Sequence, residues 1–168
     1  MAAATFPGVV VHEIAHRFFA DVTGTPVYKV CYFQLGDPSG YVVHGPIKRL
    51  RDAFLISVGP LILNTVLCAL ITFVAVPVLL LEPDDFSLIF LPVLWVGFSI
   101  GMHAFPSNQD MNNFVEAVHQ ARGSGLLRVV AGFFARFFQF ANALRAVWFD
   151  LFYAVGVSLF LPFVCGLI

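Results

Sequence analysis

Residues 2–20, AAATFPGVVVHEIAHRFFA, decide how this chain is read. The run is built mainly from Ala, Val, Ile, Phe and Gly, and is about long enough to cross a bilayer as a helix. His12, Glu13 and His16 lie inside it. Ionisable side chains are expensive in an apolar segment, so their presence there points to function. In a helix, positions i and i+4 share a face, and His12 and His16 can offer two nitrogens to one tetrahedral zinc. Glu13, one position after the first imidazole, can reach a water at that metal as general base without taking a coordination position.

The rest of the composition agrees with a membrane setting. Of 168 residues, 60% are hydrophobic and 11% charged, too few charges to cover a soluble domain. The basic residues form two groups. Arg17, Lys29, Lys48, Arg49 and Arg51 separate the first and second apolar runs, and Arg122, Arg128, Arg136 and Arg145 separate the third and last. The connection between the second and third runs is acidic: Glu82, Asp84 and Asp85. Under the positive-inside rule both basic stretches are cytoplasmic, and the N-terminus, the acidic loop and the C-terminus lie outside. Cys31, Cys68 and Cys165 have no ligand spacing. Cys68 and Cys165, inside apolar runs, are expected to serve as small hydrophobic filler. A first run that holds the histidines and lacks a basic leader argues against a cleaved signal peptide. Nothing suggests a nucleic-acid partner, and the oligomeric state is open.

Hydropathy and turn residues predict four spans in one domain, 1–168. The first runs from Ala3 to Asp21, with Pro7-Gly8 as a kink. A β-hairpin follows over Val27–His44, around the turn Gly36-Asp37-Pro38-Ser39-Gly40. Its exposed edge could pair with an extended substrate. The second span is Ala53–Leu81 and the third Phe86 to about Phe105, leading into a connector over Asn112–Gly125 that starts as helix. In 126–168, Arg128, Arg136, Gln139, Asn142 and Arg145 share half a helical wheel. An interfacial amphipathic helix followed by a fourth span at Ala146–Leu167 accounts for this, and one unbroken tilted helix is the competing arrangement.

A zinc site of this kind needs a third protein ligand and an open fourth position. The ligand must lie at the depth of the two histidines, toward the cytoplasmic end of the first span. The third span returns to that level in Gly101–Asp110, which makes Asp110 and His103 the candidates. Seven residues apart, they share a face if the helix continues. His44 and His119, in loops, are expected to be solvated.

With these elements in order, the chain resembles the site-2 protease family of intramembrane zinc metalloproteases, peptidase family M50. The resemblance covers Met1 to about Asn113, the core region, and rests on His12–His16, on Gly59-Pro60…Asn64 in the second span after basic residues, and on Asp110 after the third. It implies an all-α integral membrane protein with a three-helix core, Zn2+ held by His12, His16 and Asp110, and Asn64 orienting substrate or stabilising an oxyanion. The chain departs from the family pattern in having Met111, not Gly, after the Asp, and one extra residue between Gly59-Pro60 and Asn64. The implied activity is zinc-dependent endoproteolysis of transmembrane or membrane-proximal segments, on a membrane-protein substrate within the lipid bilayer. The alternative is a catalytically inactive relative that acts as a binding scaffold. A metal transporter would need more polar residues along its spans than Asn64, Thr65 and Thr72 provide.

Overall fold

Pro7 opens the first helix rather than bending it. In the computed structural model, which describes residues 2–47, 49–81, 87–120 and 125–168, α1 spans Phe6–Val22 and carries the proline in its first turn. There the missing N–H breaks no helical bond, so the expected kink becomes a helix start. Thr23 ends the helix, its hydroxyl donating to the Phe19 carbonyl.

The predicted hairpin follows: β1 (Val27–Cys31) pairs antiparallel with β2 (Tyr41–His44), with Val30 opposite Val42 and an irregularity between Val27 and Lys29. The Lys29 ammonium sits 5.3 Å from the centre of the Tyr41 ring, across the pair.

α2 (Leu50–Leu81), 32 residues long, is the axis of the fold and packs against α1, α3, α4 and α6. It is the one helix among the described residues long and apolar enough to cross a membrane. Its polarity is reversed relative to a helix of a soluble protein. Ser57, Pro60, Asn64, Cys68 and Thr72 face the bundle and are buried, while Ile62, Val66, Leu70 and Val74 form an exposed stripe at four-residue spacing.

The remaining helices are shorter than the sequence suggests. A 3-10 turn (Ser87–Phe90) leads into α3 (Leu91–Met102), which stops well before Phe105. The chain then leaves helical geometry and restarts as α4 (Asn108–Gln120). The condition under which His103 and Asp110 would share a face, a helix continuing between them, is therefore not met: Pro106 disfavours helical backbone at Phe105, and Ser107 begins a new helix. α5 (Gly125–Ala143) and α6 (Phe149–Val164) are separate, divided by a second 3-10 turn and by Trp148 in the left-handed region at φ 62°. The unbroken-helix alternative is excluded. Cys165 is exposed at the end of α6, not filler, whereas Cys68 is fully buried. The acidic connection at Glu82–Asp85 and residues 121–124 of the connector fall outside the described residues.

Small residues let these helices approach closely. Gly97 and Gly101 bring α3 against Thr72, Cys68 and Ala154, and Gly8 brings α1 against the backbone of Ser99. A methyl group at Gly8 would collide with the Ser99 carbonyl, which as backbone has little room to yield. Gly8→Ala is expected to destabilise the chain by about 1–3 kcal/mol, the usual cost of overpacking, as measured by unfolding in detergent. An unchanged midpoint would show that the α1–α3 contact is looser than described.

Candidate metal centre

The spacing of His12 and His16 on α1 turns both imidazoles inward, where they are buried. Each ring has its Nδ1 directed at a backbone carbonyl: His12 donates to His103 at 2.6 Å and His16 to Ile56 at 2.8 Å. A carbonyl only accepts, so Nδ1 carries the proton in both rings and Nε2 carries the lone pair. The two Nε2 atoms face each other 3.0 Å apart. Two lone pairs that close repel unless a cation lies between them.

Asp110 closes the cluster. Its Oδ1 is 3.4 Å from His16 Nε2 and its Oδ2 3.9 Å from His12 Nε2. His12, His16 and Asp110 each offer one ligand atom within 4.8 Å of the others. A tetrahedral zinc with bonds of about 2.0–2.1 Å requires ligand–ligand separations of about 3.3 Å. The Nε2–Nε2 distance of 3.0 Å and the His16 Nε2–Asp110 Oδ1 distance of 3.4 Å lie on either side of that value, whereas the Asp110 oxygen facing His12 is the other one, Oδ2.

Asp110 reaches the cluster because α4 starts where it does. Ser107 caps the helix: its backbone N–H and its hydroxyl both approach Asp110 Oδ2 at 2.7 Å, and its Oγ accepts from the Asp110 N–H at 3.2 Å. This is the reciprocal capping box, in which the third helical residue is held back against the cap. Asp110 thus closes the capping box through Oδ2 while its carboxylate faces both imidazoles.

The other sequence candidates fall elsewhere. The His103 ring is hydrogen-bonded to the Thr5 hydroxyl at 2.9 Å, and this residue meets the cluster through its carbonyl. Asn64 is fully buried between α2 and α3 and does not line the cavity. Its Nδ2 donates to the carbonyls of His103 (3.0 Å) and Ile100 (3.4 Å), so the amide implied to meet substrate is committed to the fold. His44, expected to be solvated, is half-buried on the cavity wall and bonds the Gly45 carbonyl. His119 is exposed, as expected.

Glu13 is buried beside the cluster and lines a cavity of about 620 Å³, the size of a small-ligand site. The hairpin loop forms the opposite wall through Asp37, Pro38, Ser39 and Gly40. Gly40 lies directly on Glu13: a β-carbon there would sit 2.7 Å from Glu13 Cγ and 3.0 Å from Oε1. Ser107 and Gly40 escape the sequence reading, although Ser-x-x-Asp ahead of a helix is a capping signal. The carbonyls of Ile56 and His103 have no sequence signal, being backbone.

No family model, curated protein or solved structure matches the chain.

Proposed function

We propose that this chain is a membrane-embedded zinc metalloendopeptidase, a small divergent relative of the site-2 proteases. His12, His16 and Asp110 hold the metal and Glu13 serves as general base. The observation that carries the reading is the pair of Nε2 lone pairs facing at 3.0 Å, with both Nδ1–H groups tied to carbonyls and a carboxylate completing the triangle. That donor set of two imidazoles and one carboxylate is the type that leaves zinc a fourth, open position. Zinc bound there supplies a lowered pKa for water and polarisation of a peptide carbonyl.

The residues of the chain do the rest. Glu13 takes the proton of the attacking water and passes it to the leaving amine as the peptide bond breaks. The absence of a side chain at Gly40 leaves room for the Glu13 carboxylate, and the ring tautomers are set by the Ile56 and His103 carbonyls. A substrate helix must unwind locally, because its internal hydrogen bonds shield its carbonyls. The free edge of the hairpin is a surface on which the unwound strand can pair.

Membrane insertion is supported by what faces outward. α2 exposes Ile62, Val66, Leu70 and Val74, α6 exposes Phe152, Phe160 and Phe163, and α5 exposes Phe133, Phe137 and Phe140. Apolar surface this extensive is not left to water, and small or polar residues turned inward are the pattern of helices packed in lipid. α5 carries no acid in its first turn and has Arg128 and Arg136 beside its aromatic face, which suits a helix lying at the cytoplasmic interface. With it goes the multi-pass topology that the charge distribution implies, with both termini outside.

Purified in detergent, the chain is expected to contain one zinc, and His16→Ala to contain almost none. Elemental analysis decides this. A parent chain that takes up no zinc would remove the metal centre and the activity with it.

A further inference from the structure

The two carbonyls that orient the ligands are both orphans of the helices they belong to. In an α-helix the Ile56 carbonyl would accept the N–H of residue 60. That residue is Pro60, buried inside α2, which has no N–H and whose ring displaces the carbonyl four residues back. His16 Nδ1 takes the place of the missing donor. The His103 carbonyl lies just past the end of α3, where helical carbonyls lose their partners. It receives His12 Nδ1 and Asn64 Nδ2 together.

Asn64 stands four residues after Pro60, on the same face of α2. Its Nδ2 makes both of its bonds to the end of α3, while its Oδ1 is buried without a hydrogen-bond partner among the described residues. A leucine of similar size would avoid that unpaired oxygen. The amide is therefore poorly explained by packing and well explained by what its N–H groups hold.

We infer that Pro60 and Asn64 are positioning residues for the metal ligands: Pro60 frees the Ile56 carbonyl that sets His16, and Asn64 pins the His103 carbonyl that sets His12. The inference rests on the zinc reading of the cluster. It gives the Gly-Pro…Asn pattern of α2 a role in metal binding, distinct from contact with substrate.

The test is zinc affinity of the full chain in detergent, by competition with a chromophoric chelator, alongside thermal unfolding and the visible spectrum of the Co2+ form. Loss of an outer partner that orients a metal-bound histidine lowers affinity by about 10–100-fold. Pro60→Ala returns an N–H that competes for the Ile56 carbonyl, and Asn64→Leu removes both donors; each is expected to weaken zinc by about tenfold or more and to shift the Co2+ bands. Neither should lower the unfolding midpoint, since alanine favours helix over proline and leucine removes an unpaired oxygen. Thr72→Val, another buried polar change on α2, should leave zinc affinity unchanged. Folded Pro60→Ala and Asn64→Leu chains with affinities within about threefold of the parent would overturn the inference. If Asn64→Leu does not fold, Asn64→Ser retains one donor and is expected to fall between parent and Pro60→Ala; parental affinity in both counts against the inference equally. A parent that binds zinc while both variants match it refutes only the positioning roles. A parent that binds none refutes the zinc reading itself.

Discussion

Glu13→Gln is expected to abolish cleavage of a reporter transmembrane helix in proteoliposomes while leaving one zinc per chain. The amide preserves the length and shape of the side chain, so it still fits under Gly40, which lies close enough that a larger group would be expelled. It has no basic oxygen to accept a proton from water. Removal of a positioned general base typically costs about 10²–10⁴ in rate. Glu13→Asp keeps the chemistry but draws the carboxylate back toward α1, so it should fall between the two. Cutting by Glu13→Gln at the parental rate would leave the zinc site standing and assign the base elsewhere. A parent that binds zinc yet never cuts would favour the scaffold reading.

Asp110→Ala is expected to empty the site, by more than the roughly 10–100-fold associated with an outer partner. The change has two consequences, because Asp110 both faces the histidines and closes the capping box with Ser107. Ser107→Ala separates them. It removes the cap hydroxyl at a cost of about 1 kcal/mol of helix stability and leaves the carboxylate in place, so zinc should be retained with weaker affinity. Chelator competition and thermal unfolding on the two variants read the effects independently. Zinc retained by Asp110→Ala but lost from His103→Ala would reassign the third ligand to His103.

The chemistry of this chain is more legible than its geometry. His12, Glu13 and His16 announce themselves because their spacing is local and a helix converts it directly into a shared face. Asp110 could be nominated by depth, since on the four-span reading the second span leaves the level of the histidines and the third returns to it. The path by which it arrives was not legible. Apart from His103, apolarity extends to Phe105, yet the helix ends at Met102, because hydropathy reports surroundings and not backbone continuity. Pro106 was the available signal. The same limit applies at Trp148, where an aromatic residue in left-handed conformation divides α5 from α6. Asn64 shows a different limit: a residue type and a motif fix which helix matters, but not whether an amide faces the cavity or the neighbouring helix. The hairpin was readable because its turn residues are chemically specific.

The unequal lengths of the helices have a consequence for the lipid. α2, at 32 residues, is about 48 Å long, whereas α1 and α6, at 17 and 16, reach only about 25 Å. A hydrocarbon core of about 30 Å cannot match both. In the proposed membrane setting, the bilayer would be compressed where the short helices border it, and headgroups and water would be drawn toward the level of the site. A guest helix entering there would find its ends over-long for the slab and part of its length wetted. The thinned annulus would thus do some of the unwinding before any side chain of this protein touched the guest.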